Sequence, residues 1–530
     1  MRVGLIFSFD PLPVSADLSG EGITRVVKKV IDECSAVGFQ FTVFTQDWCS
    51  PSVSAAFAKA FSESQVDLHI VRDPLWFKLR ARYYSMLPTA KQIDSRLLSS
   101  RGGRILRDPR FTVGVSFLLA LLAAAAFWFE SSLVWPSSAS SLYFALAALF
   151  TAFLAPLAVH ILVGGERKIE MFYNHHRLRL HSRQRSALIR EVDRANLDVA
   201  WLPVLSVPEA HELRTPWVFT FPDMVYFEFP TQWVGFPGVH TTLETVRSCL
   251  NAASAVTCYS EYVKRQHITR LRKKNTGVFV VPNGPMGFDA HDSAESAIRA
   301  DPNTPVNEKD LNGLDLDGFG LQSAVVPFIF VPTQNRPHKN LWNLCRAVEL
   351  LVREEHFPVR LVLTAGSLGD SGTGVDLAEW LRDRSLSGVV AHTPRLTERR
   401  LKLMYEQAAI AISPSLFEAG VPFMLAEGAS TGTPVLLAST EVTREALDGI
   451  FRADELMFDP FDVRGLALQL RTTIEERAEY VSLTKRVSDD FYQVQSWQRT
   501  ATLYTDAFSF ACNSSASMGV GKRRVDDTGI

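Results

Sequence analysis

The sequence predicts an α/β fold of parallel sheets in more than one domain, and three observations carry the prediction. Short apolar runs such as Phe328-Ile-Phe-Val331 and Ala408 to Ile412 have the length and apolarity of strands buried on both faces of a parallel sheet. Each leads through a polar loop into a stretch with helical spacing; after the first, apolar residues fall at Leu341, Leu344, Val348 and Leu351. At 530 residues the chain exceeds one hydrophobic core, so roughly two to three domains are expected.

Met1-Arg-Val-Gly-Leu-Ile-Phe-Ser-Phe9 opens the chain. It lacks the long apolar core and small-residue cleavage site of a signal peptide and reads as the first buried strand. A long loop then ends in Gly20-Glu-Gly22-Ile-Thr-Arg25, which opens a helix. Its glycines would let a backbone approach a substrate closely. The pattern is neither a Walker loop nor a full G-x-G-x-x-G, so a flexible connector is an equal reading. Residues 1–100 are assigned to the first part of an N-terminal domain.

An apolar insertion interrupts that domain. Phe111 to Phe129 is a run of about 19 residues without a charge, and Leu142 to Val163 is a second of about 22 with His160 as its one titratable group. Each is long enough to cross a bilayer, for which about 20 residues suffice. The short segment between them makes the pair a transmembrane hairpin, 111–163. Arg101, Arg104, Arg107 and Arg110 precede it and Arg167 and Lys168 follow it, which predicts both outer ends on the cytosolic side of the cell (inner) membrane. Trp128, Trp135 and Tyr143 fall near the far interface. The basic, apolar-interleaved segments 77–84 and 177–185 fit an anionic lipid surface, at about 1 kcal/mol per Lys or Arg, or equally a pair of solvated helices.

Residues 170–286 are assigned to the second part of the N-terminal domain. They contain the strand-like Val218-Phe-Thr-Phe-Pro222-Asp223, then Ala255-Val-Thr-Cys-Tyr-Ser260-Glu261 and Val280-Val-Pro-Asn283-Gly284. The acidic, aperiodic stretch 287–322 reads as a linker, 323–495 as a C-terminal domain, 496–512 as a helix, and 513–530 as a disordered tail. Charge is near balance, 55 Lys and Arg against 57 Asp and Glu, which gives no basic footprint for nucleic acid. The six cysteines are dispersed, with no C-x-x-C and no zinc spacing, so reduced thiols and no metal centre are expected.

The most informative stretch follows the run at 408–412. A turn carries Glu418, a helix carries Glu427, and Gly432-Thr-Pro434-Val leads into another apolar strand. Two carboxylates at the carboxyl end of a strand sit where open α/β sheets bind ligands, and they accept hydrogen bonds from a polyol such as a sugar or ribose. In Arg336-Pro-His-Lys339-Asn, two cations stand just before a helix, whose free N–H groups and dipole attract anions. A diphosphate would fit there.

Taken together these segments resemble the retaining glycosyltransferases of family 4, which have two Rossmann-like domains facing a cleft, the GT-B architecture. Arg336-Pro-His-Lys339-Asn is similar to the family's diphosphate clamp, and Glu418 through Glu427 to its paired glutamates. Leu361-Val-Leu-Thr-Ala-Gly366, Glu445 and Phe458-Asp-Pro-Phe-Asp462 are similar to its other C-terminal segments. The resemblance implies a nucleotide-diphosphate sugar as co-substrate, no cofactor or metal, and a glycan or lipid-linked acceptor. Arg336 and Lys339 would stabilise the leaving diphosphate. Glu427 would bond the ribose, and Glu418 with the backbone at Gly420 and Val421 would orient the sugar. Asp223 would line the opposite wall, with Gly20 and Gly22 near the substrates. In this family the helix at 496–512 crosses back to the N-terminal domain.

Two departures stand out. The family has seven residues between its glutamates and this chain has eight; Pro222 stands where the family presents a histidine. They leave open a catalytically inactive scaffold of a polysaccharide-assembly complex. A glucan synthase-like enzyme acting on a soluble acceptor also stays open.

Overall fold

The computed structural model describes residues 1–9, 22–58, 66–72, 182–221, 224–230, 239–273, 277–288, 326–369, 376–393 and 396–517. The hairpin 111–163, Gly20, Pro222, Asp223, most of the linker and the end of the tail lie outside the described residues. Among the described residues no helix is long and apolar enough to cross a membrane. The chain divides into two compact units, one of Met1–Val71 with Leu188–Ile530, the other of Arg72–Ala187. Of the latter, only Arg72 and the helical residues 182–187 are described.

The larger unit holds two parallel sheets. The first has seven strands: β1 (Arg2–Ile6), β2 (Gln40–Gln46), β3 (Val66–Val71), β4 (Val199–Leu202), β5 (Trp217–Thr220), β6 (Ala255–Cys258) and β7 (Val278–Val280), in the order 3-2-1-4-5-6-7. The second has six: β8 (Phe328–Val331), β9 (Arg360–Leu363), β10 (Val390–His392), β11 (Ile410–Ser413), β12 (Val435–Ala438) and β13 (Met457–Phe458), in the order 10-9-8-11-12-13. In both, the chain runs outward from one strand, returns to that strand's other side and continues the opposite way. This is the doubly wound order, with its switch point between β1 and β4 in one sheet and between β8 and β11 in the other.

Helices cover both faces of each sheet, which is why the strands read as continuous apolar runs. On the first sheet, α1 (Gly22–Ala36) and α2 (Ser50–Ala56) bury Val27, Val30, Ile31 and Val53 against Val3, Leu5 and Val43. Helical residues 188–194 and α3 (Val239–Ala252) close the other face, with Leu188, Val192 and Leu250 against Ile6, Phe44 and Leu202. On the second sheet, α4 (Leu341–Arg353), α5 (Leu377–Asp383) and α9 (Val463–Glu475) share one core. α6 (Glu398–Gln407), α7 (Met424–Thr431) and α10 (Arg477–Val494) share the other, while α8 (Glu441–Leu447) follows β12. In α4 the spaced apolar residues Leu341, Leu344, Val348 and Leu351 are all buried.

The last helix, α11 (Trp497–Ser517), returns to the first sheet and packs Tyr504, Phe508 and Ala511 into its core. The Tyr504 hydroxyl lies 3.3 Å from Thr220 Oγ1, which also accepts from Trp201 Nε1 at 2.9 Å. The helix runs through Ser517, so the polar stretch expected to be disordered from residue 513 begins as helix; Ala507, Phe508 and Ala511 anchor the turns that lead into it. The segment leaving the first sheet is braced by the same region. Pro282 carbonyl accepts from Gln495 and Thr500, and Pro285 carbonyl from Trp497 Nε1 at 2.7 Å. A Cβ on Gly284 would come within 2.7 Å of the Trp497 ring, so only glycine lets this segment lie so close.

Candidate active site

The loops that follow β8 and β11 flank the switch point of the second sheet, and they carry the two sequence motifs. After β8, Pro337–Lys339 form one 3-10 turn, and Asn340 at φ 53° reverses the chain into α4. Asparagine tolerates this left-handed conformation better than most residues. Its amide, with that of Asn343, donates to the Pro460 carbonyl at 2.9 and 3.1 Å. The loop after β13 therefore holds the basic loop in place.

Lys339 and Glu418 meet directly, Nζ to Oε1 at 2.5 Å, with side chains 22% and 28% exposed. Burial alone would disfavour the charged carboxylate. The Lys339 ammonium and hydrogen bonds from Lys339 and Ser415 outweigh it and hold Glu418 below the usual carboxylate range. Arg336 is exposed, and among the described residues its side chain has no hydrogen-bond or ion-pair partner. Gly420 and Val421 continue the Glu418 loop and are half-buried. A Cβ on Gly420 would lie 3.3 Å from Tyr259 Cβ, so this loop abuts the first domain.

His338, between the two cations, is 4% exposed and joins the loops. Its carbonyl accepts from the Leu416 amide at 2.8 Å, and its ring stacks 6.5 Å from Phe229 of the first domain. Burial, with the positive charge of Lys339 and Arg336 beside it, lowers its pKa from 6.5 to about 4, so the ring is neutral at pH 7. Its Nδ1 has no partner among the described residues.

Glu427 stands apart from Glu418. It lies in the first turn of α7, 5% exposed, and both oxygens are engaged. Oε1 accepts from Arg25 Nη1 at 2.9 Å and Oε2 from the Tyr405 hydroxyl at 2.7 Å. Arg25 comes from α1 of the first domain, also donates to the Met286 carbonyl at 3.1 Å, and lies over the Phe423 ring. α7 is held close to β12 because a Cβ on Gly428 would meet Val435 Cγ2 at 2.2 Å and Thr433 O at 2.9 Å. Gly22, at the start of α1, faces Phe423: its added Cβ would lie 3.4 Å from that ring. A second contact across the domains has Glu445 accepting from the Glu261 amide at 2.7 Å and from Arg265 at 3.1 Å.

The structure thus brings Arg336, Lys339, Glu418, Gly420 and Val421 to one switch point. Glu427 and Gly22 lie beside it at the contact between domains. Gly20 and Asp223 are outside the described residues. Arg25, Tyr405, His338 and Phe229 are site neighbours that sequence reasoning missed. Arg25, three residues after Gly22 in the first turn of α1, carried the one visible signal. Among the described residues no group of three or more His, Cys, Asp or Glu could hold a metal ion.

Residues 327–476 match the family model described as glycosyl transferases group 1. No curated protein matches the sequence. Among solved structures, the chain is similar to the trehalose-6-phosphate phosphatase N-terminal domain of Candida albicans, at 14% identity, TM-score 0.54, over 96% of this chain and 97% of that one. It is also similar to the alpha,alpha-trehalose 6-phosphate synthase of Burkholderia multivorans, at 12% identity, TM-score 0.51, over 99% of each chain. At such identities the likeness is one of fold. Residues 327–476 thus match a glycosyl transferases group 1 domain, and the two parallel sheets have the GT-B fold.

Proposed function

We propose that the chain is a retaining, family 4-type glycosyltransferase that moves a sugar from a nucleotide-diphosphate sugar to a glycan or lipid-linked acceptor. The observation that carries this reading is the Lys339–Glu418 pair at the β8–β11 switch point, with Arg336 beside it and α4 opening behind it. An ammonium has three donors; one serves Glu418 and two remain for phosphate oxygens. Arg336 adds a planar fork suited to phosphate, and the N-terminus of α4 adds dipolar attraction. These groups act where charge builds on the leaving diphosphate. Glu418, held ionised, accepts from sugar hydroxyls, and the backbone at Gly420 and Val421 completes its loop.

A carboxylate offers about four acceptor positions, so Glu427 can keep Arg25 and Tyr405 and still accept from ribose hydroxyls. Retention follows from front-face attack with the leaving phosphate taking the acceptor's proton, which needs no carboxylate nucleophile. Two cations at the diphosphate support a reaction without a metal. The apolar runs 111–129 and 142–163, with their basic flanks, support an anchor that keeps both domains on the cytosolic side of the membrane, beside a lipid-linked acceptor.

The test is release of nucleoside diphosphate from a panel of nucleotide sugars in the presence of membrane lipid extract, with the anomeric configuration of the product read by proton NMR. Turnover with retained configuration is expected. Binding without turnover would favour a non-catalytic scaffold, and inverted configuration would refute the retaining assignment.

A further inference from the structure

A cavity of about 570 Å³ lies between the two domains, at the carboxyl ends of β11, β12 and β13. It is displaced toward the β13 edge from the loop after β8 that carries Arg336 and Lys339. Its size is that of a small-molecule site, about 300–1,000 Å³. Its walls are of two kinds. Tyr262, Phe417 and Phe461 supply rings, and Phe461 is 71% exposed. Glu228, Glu441, Asp454 and Asp459 supply carboxylates against the one guanidinium of Arg444.

We infer that this cavity binds an uncharged saccharide, as the acceptor subsite of the transferase. Rings offer flat apolar faces to the C–H face of a pyranose, and carboxylates accept from its hydroxyls. The excess of negative charge excludes a phosphorylated sugar, which would meet like charge in a partly desolvated site. Glu228 is prepared for the accepting role. Its Oε1 takes hydrogen bonds from His267 Nε2 at 2.7 Å and the Tyr262 hydroxyl at 2.8 Å, while no described residue donates to Oε2. The His267 bond, against the effect of burial, holds this carboxyl below its ordinary range. The cavity also adjoins the donor loops. Phe417 precedes Glu418, and Pro460, in its lining, accepts from Asn340 and Asn343 behind the basic loop. A saccharide here would sit next to the sugar held by Glu418.

The inference rests on the transferase reading, and the experiment separates the two. Binding of glucose, maltose and glucose 6-phosphate to the whole chain is measured by calorimetry, with and without saturating nucleoside diphosphate. Glucose or maltose should bind in both conditions, and glucose 6-phosphate at least about tenfold more weakly. Phe461→Ala, at an exposed position, should weaken saccharide binding about tenfold and leave nucleoside diphosphate binding and the melting temperature unchanged. Glu441→Gln should narrow the gap between glucose and its phosphate. No saccharide binding, binding indifferent to Phe461→Ala, or a preference for the phosphate overturns the inference. Saccharide binding without any nucleoside diphosphate binding would leave the cavity assignment standing and remove the donor reading.

Discussion

Replacing Lys339 by methionine removes the cation from a pair 2.5 Å apart whose side chains are about one-quarter exposed. Breaking a fully buried pair costs about 3–5 kcal/mol and an exposed one about 0–1 kcal/mol. The partial exposure here places Lys339→Met at about 1–2 kcal/mol. At about 2–4 °C per kcal/mol for domains of this size, the melting temperature should fall by roughly 2–8 °C. Most of that cost is the stranded carboxylate of Glu418, so adding Glu418→Gln should recover stability. Turnover should not recover, because the donor to the diphosphate is still missing; a loss of about 10²-fold or more is expected. The pH dependence has a definite sign. Glu418 is held below its ordinary value of 4.5, so the pair's contribution is present above that pH and is lost as pH falls below it. Wild type and Lys339→Met should converge in stability in acid. Thermal melts at pH 7 and at a series of pH values falling below 4.5, with release of nucleoside diphosphate by the single and double variants, decide the matter. Unchanged turnover in folded Lys339→Met, or stability not restored by Glu418→Gln, would refute the reasoning.

Tyr405→Phe removes one bond to the buried Glu427 and should cost about 1–2 kcal/mol in chemical denaturation. Glu427→Ala should weaken free nucleoside diphosphate and the intact donor alike, whereas Glu418→Ala should weaken the donor more; calorimetry with both ligands separates them. His338 has a folded pKa of about 4 against 6.5, so its neutral burial stabilises above about pH 6.5 and that stability is lost as pH falls toward 4. His338→Asn should flatten the stability profile between about pH 6.5 and 4.5, above the window in which Glu418 acts. Replacing residues 111–163 by a short flexible linker should move the chain from the membrane pellet to the supernatant. It should keep nucleotide-sugar binding and sharply lower transfer to a lipid-linked acceptor, because the acceptor's effective concentration is lost.

The parallel α/β fold was legible because buried strands need unbroken apolar runs and the helices that cover them need a single apolar stripe. The run Phe328-Ile-Phe-Val331 is β8 itself, buried along its whole length. In α4 the spacing of Leu341, Leu344, Val348 and Leu351 is the buried face. The basic loop and the Glu418 turn were legible because each follows directly on such a strand. Contacts made only when the two sheets come together left no local trace. Arg25 and Glu427 are 402 residues apart, and nothing in the composition of either segment indicates that they pair. The partners of Glu427, Arg25 and Tyr405, were not legible because they come from other elements. Nothing in the sequence around His338 marks it for burial, because the Phe229 ring that stacks on it comes from the first domain. The continuation of α11 through Ser517 was not legible because residues beyond 513 are polar, while the anchors of that helix, Phe508 and Ala511, lie upstream.

The central claim is that the switch point between β8 and β11 holds the diphosphate of a nucleotide sugar through Lys339. A thermal-shift screen of nucleotide sugars on wild type and Lys339→Ala tests it most directly. A ligand at about 100 times its dissociation constant stabilises a protein by about 2.7 kcal/mol, a readily measured shift. At least one nucleotide sugar should raise the melting temperature of the wild type, and Lys339→Ala at the same concentration should show little or none of that rise. Equal stabilisation of both proteins, or none of the wild type by any nucleotide sugar, would contradict the account.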